Sequence, residues 1–133
     1  MSLIDELSKA HAALESRRDM GTALHAFTVL EAAAGVMESG APREEFAAWV
    51  YAGQAASEGL SALRPVATSP YEVPVVTEDA DDPFSLAESM AGLGSLLREV
   101  LVDVAHDNDD LDARLAALSA ARCGTQIQTL LGE

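Results

Sequence analysis

Residues 64–83, RPVATSPYEVPVVTEDADDP, hold four of the five prolines in the chain and show neither a helical apolar period nor a helix-forming composition. On both sides the sequence is rich in Ala and Leu recurring at helical spacing. The segment therefore reads first as a divider between two helical halves. Length rules that out. A chain of 133 residues buries roughly two thirds of its unfolded surface, enough for one core and not for two. The segment is expected instead to be a long ordered crossover running over a single bundle, with Tyr71, Val73, Val75 and Val76 packing on helices and Glu78, Asp79, Asp81 and Asp82 facing water.

The apolar period predicts five helices. Helix 1, near 2–16, carries the seam Leu3, Leu7, Ala10 and Leu14, with Ser2 as N-cap and Asp5 and Glu6 in the first turn where the helix dipole favours acids. A break near 17–18 is preferred to one rod, because a continuous helix to Glu38 would run about 54 Å. Helix 2 covers about 19–38 and stops at Ser39-Gly40. Helix 3 starts with Pro42 at a first helical position and runs to about Leu63, with Trp49 on its inner face and small residues at 53, 56 and 57 that would admit a close neighbour. Helix 4 starts with Asp82 as cap and Pro83 behind it. Its uninterrupted row of Leu86, Met90, Leu93, Leu97, Val100 and Val104 marks a central helix touched from more than one side. Helix 5, about 109–131, is capped by Asp107 or Asn108, and its buried stripe is read as Leu111, Leu115 and Leu118 drifting to Ala120, Cys123, Ile127 and Leu130. The fold class is thus an all-α, single-domain bundle of about five helices.

Charge narrows the function classes. With 22 acidic against 8 basic residues the net charge is −14, and nucleic acid or an anionic membrane both require cationic neutralisation of phosphate. Neither is expected as a partner. Basic proteins and metal cations remain compatible. The lone Cys123 excludes an internal disulfide, and no run of 18 uninterrupted apolar residues occurs, so a cytoplasmic location is expected. Seven Arg to one Lys, with abundant Ala, fits the codon bias of a GC-rich bacterium. Aromatics make up only 5% of residues. A core built on small side chains is thin, and thin cores often gain from a second subunit.

The sharpest polar constellation is Glu99, Asp103, His106, Asp107 and Asp110, whose offsets would bring them to one side of a continuous helix. Asp103, His106, Asp107 and Asp110 are the candidate metal ligands, a donor set that Mn, Fe or Zn would accept. The competing reading is a solvated edge and an acidic helix cap. A di-metal bundle site needs Glu-x-x-His, which is absent. Six residues separate Arg18 from His25, a spacing that resembles the Arg and His pair of HEPN-type helical ribonucleases, where His would act as acid or base and Arg would stabilise phosphate charge. The acidic balance argues against RNA. Cys123 is expected to be an inert core thiol, and no Gly-rich phosphate loop is present. No catalytic residue, cofactor or cofactor-binding residue is assigned.

Trp49 and Tyr51 point to different sides of helix 3, so one can be core while the other faces out; with Tyr71 they are the candidate partner-interface residues. The expected function is that of a small acidic, non-enzymatic interaction or regulatory protein acting as a homodimer through helix packing. Two alternatives stand beside it: a metal- or small-ligand-binding bundle, even a hydrolase, with its site around 103–110, and a partner-neutralising protein of the antitoxin or immunity type.

Overall fold

The computed structural model describes residues 3–40, 43–71 and 82–132. It contains α1 (Leu3–Arg17), α2 (Met20–Gly40), α3 (Arg43–Leu63), α4 (Pro83–Asp107) and α5 (Leu111–Leu131). No strand occurs among the described residues, and the helices pack as one bundle around a continuous apolar cluster. The expected roles of Ser2, Pro42, Val73, Val75, Val76, Glu78, Asp79 and Asp81 lie outside the described residues.

Local chemistry explains where the helices stop. At the first break Arg18 adopts φ 49°, the left-handed region that ends a helix, while its amide still donates to the Leu14 carbonyl at 2.9 Å. Asp19 then caps α2, its Oδ1 accepting from the Thr22 amide at 2.8 Å. Its carboxyl lies below the ordinary Asp value: partial burial pushes it up, and interactions with Thr22 and Arg17 outweigh that. The Asp82–Pro83 start of α4 is as the sequence predicts, with the Asp82 carboxylate accepting from the Ser85 amide at 3.3 Å. The α5 start differs from expectation. Asn108 closes α4, and its Oδ1 accepts from the Asp110 amide at 3.0 Å, so the N-cap of α5 is Asp110 rather than Asp107 or Asn108.

Contacts fix the helix directions. Gly94 meets Gly124 and Ala91 meets Gly132, so α4 and α5 are antiparallel. Ser57 donates to Glu31 at 2.6 Å while Phe27 packs on Gly59, which makes α2 and α3 antiparallel. Trp49, Phe84 and Leu131 line one groove, so the starts of α3 and α4 and the end of α5 share one end of the bundle. Helices α3 and α4 are therefore parallel. Pairing runs in a ring α1, α2, α3, α5, α4 and back to α1, braced across by α2 against α4. Helix α4 touches α1, α2 and α5, which is the central place its broad apolar face predicts.

Beyond α3, Thr68, Pro70 and Tyr71 lie against α2. The Thr68 carbonyl sits 2.6 Å from where a Cβ on Gly21 would be, so only glycine admits the segment there. One turn further along α2, the His25 ring meets Tyr71 at 4.9 Å with the planes tilted 52°.

Alanine and leucine share the core in near-equal numbers. The stretch Met20–Ser39 of α2 is long and apolar enough to span a bilayer by length and composition, and half of it is buried inside the bundle. The α5 stripe is where the sequence reading fails. Ala113, Ala117, Ala120, Ala121 and Gly124 turn inward with Cys123, Ile127 and Leu131, whereas Leu111, Leu115 and Leu118 face out at 66%, 55% and 47% exposure. The first half of α5 buries its small side chains and presents its large ones.

Candidate functional site

The acidic row does not gather into one site. Asp103 lies on an exposed turn of α4, where its Oδ2 accepts from Arg18 Nη2 at 3.1 Å; Glu99 Oε1 lies 3.6 Å from the same nitrogen. The left-handed break between α1 and α2 thus aims a guanidinium at two carboxylates of α4. His106 and Asp107 sit exposed in the last turn of α4, and Asp110 caps α5 beyond the break at 108–110. A break of three residues ends the single helical face that their spacing assumed. Among the described residues no three His, Cys, Asp or Glu side chains come together in a metal-holding group.

A polar groove between α1 and α4 is lined by His11, Glu15, Arg18, Ser95 and Glu99. His11 Nδ1 lies 2.9 Å from Glu15 Oε1, and Arg18 is engaged as above. These are half-exposed pairs on open surface, each worth a fraction of a kcal/mol. His25 packs on Tyr71; burial pushes its imidazole below the ordinary His value, with Glu6 opposing. Arg18 and His25 are therefore engaged with different partners, α4 in one case and the 64–71 segment in the other.

The aromatic candidates separate. Trp49 is 3% exposed and packs in the core of this chain, as its place on the inner face of helix 3 predicts. Tyr51 faces out at 56% beside Glu58, Arg122 and Gln126 in a shallow groove between α3 and α5. Tyr71 is exposed on one side and rests on His25 with the other.

What spacing alone missed is the α5 leucine face. Leu111, Leu115 and Leu118 recur at four and three residues, a straight ridge on a helix, and the register set by Gly94 and Gly124 puts exposed Val102 of α4 level with its middle. The signal was present as a second stripe at 113, 117, 120, 121 and 124, small in every member. Comparison with family models, with curated proteins and with solved structures finds no match for this chain.

Proposed function

We propose that this protein is a non-enzymatic interaction module in which the bundle is a rigid platform for the leucine ridge of α5. One observation carries the reading: three leucines at helical spacing lie about half exposed or more, at 66%, 55% and 47%, on the helix whose alanines face the core. Single exposed apolar residues need no explanation, but a contiguous ridge on a charged surface marks a binding face. The ridge is not a packing element of the monomer, so its removal leaves the fold intact. Leu115→Gln with Leu118→Gln should keep the helical circular dichroism signal and the melting temperature of the wild type. As immobilised bait in an extract of the source cell, the wild type should retain a protein, a further copy or another chain, that the double variant loses. Retention of the same species by both baits, or of nothing by either, overturns the reading.

A further inference from the structure

We infer that the occupant of the α5 ridge is a second copy of this chain, docked α5 against α5 and antiparallel about a two-fold axis. The self-pairing rests on the interaction reading above and adds to it the partner and the geometry. Charge is the first argument. Counting Lys and Arg against Asp and Glu, the net charge is −1 for α1, −2 for α2, −2 for α3 and −3 for α4, whereas α5 with its cap, Arg114 and Arg122 against Asp110 and Asp112, is neutral. In a chain of net charge −14, α5 is the one helix on which a like-charged copy can settle without adding repulsion at the contact.

Distribution along the ridge is the second argument. Acid stands at the α5 start, where Asp110 and Asp112 flank Leu111 and Arg114 follows beside the ridge; base stands again at Arg122, one turn beyond Leu118. A two-fold axis that sets Leu115 opposite the partner copy's Leu118 sets Arg122 opposite the partner copy's Leu111, between those two carboxylates. Parallel pairing would instead place Asp on Asp and Arg on Arg. The surface is self-complementary in one orientation only, the condition a two-fold interface imposes.

Size decides the expected strength. With Leu115 opposite the partner copy's Leu118 the two helices overlap over residues 111–122, about 18 Å, and a helix about 10 Å wide then gives roughly 180 Å² per copy. With rims from the neighbouring helices the total stays below the about 1,000 Å² lower bound of a stable specific interface, so the pairing is a weak, transient one. A dissociation constant of about 100 μM is expected.

The test is sedimentation velocity of the full chain from about 1 to about 500 μM, bracketing that value, with circular dichroism to check folding. Wild type should pass from monomer to dimer. Arg122→Glu alone, and Asp110→Arg with Asp112→Arg alone, should each weaken the dimer about tenfold or more. An equimolar mixture of the two variants should recover dimer, since each of its two charge clusters again joins opposite signs. A wild type that stays monomeric throughout overturns the self-pairing; if the leucine-dependent bait result then still holds, the interaction reading survives with another occupant. A dimer that neither variant weakens, or that the mixture does not restore, overturns the antiparallel α5 geometry.

Discussion

Two glycines separated by two positions on α4 should respond to alanine with opposite signs. At Gly92 a new Cβ has no heavy atom of another element within 4 Å, so only the backbone effect remains. Replacing a helical glycine there should stabilise by up to about 1 kcal/mol. At Gly94 the same Cβ would lie 2.7 Å from the Gly124 carbonyl oxygen and 3.3 Å from the Gln128 amide nitrogen. Both obstacles are α5 backbone, which is unable to rotate away as a side chain would. The helices must separate by about 0.7 Å to reach ordinary contact, and a gap of that size forfeits a quarter to a half of each dispersion well along the seam. The seam is the most extensive helix pair in the bundle.

Overpacking of this kind costs about 1–3 kcal/mol. Set against the helix-propensity gain, Gly94→Ala should destabilise by up to about 2 kcal/mol and lie about 1–3 kcal/mol below Gly92→Ala. Urea unfolding at one fixed protein concentration measures both, with wild-type slopes expected to be retained. In thermal melts the pair should be separated by about 3–15 °C. Gly94→Ala as stable as Gly92→Ala would refute the close α4/α5 approach and with it the reason α5 turns its alanines inward.

Three further outcomes follow from side-chain environments. His25 is held below the ordinary imidazole value by burial, so below about pH 6.5 the unfolded chain takes up a proton that the folded chain resists, and stability falls as pH drops from there through the native pKa. Urea midpoints at pH 7.5 and 5.0 should show that loss in wild type and a smaller one in His25→Gln; equal losses would sink the account. Burial raises the Cys123 thiol, Glu58 adds to the rise and Arg122 opposes it, so an aromatic disulfide reagent at pH 8 should react at least about a hundredfold more slowly with folded than with unfolded protein. For the acidic row, millimolar Mn, Zn or Mg should leave the melting temperature unchanged. A true site bound a hundredfold below the added metal would contribute about 2.7 kcal/mol, and a rise lost in Asp103→Ala would establish it.

Helix limits were legible in the sequence wherever a single residue type performs the stop. Asp82 before Pro83 and Gly132 after the last turn each act through their own backbone preferences or caps, which local sequence carries, whereas the break at Arg18 was expected only from the length a continuous rod would have. Directions were not legible, because a 20-residue connection reaches either end of the bundle. Nor was the face of α5, for a reason that belongs to pairs of helices rather than to one. Leucine at 111, 115 and 118 outscores alanine at 113, 117 and 120 on any hydrophobic scale, so ranking by residue assigns the leucines to the core. What decides the matter is volume on the facing helix. Helix α4 already fills the interior with Leu86, Met90, Leu93, Leu97 and Leu101, and its Gly94 brings the two backbones into contact. At that separation a second row of leucines has no room, since interiors are packed to crystal density. The alanine stripe is the only face of α5 that fits, and the leucine ridge is displaced outward as its geometric complement. The small-residue seam that closes this bundle is thus also what exposes its interaction surface, so widening the seam at Gly94 should disturb the ridge through the placement of α5, while removing the leucines should leave the seam untouched.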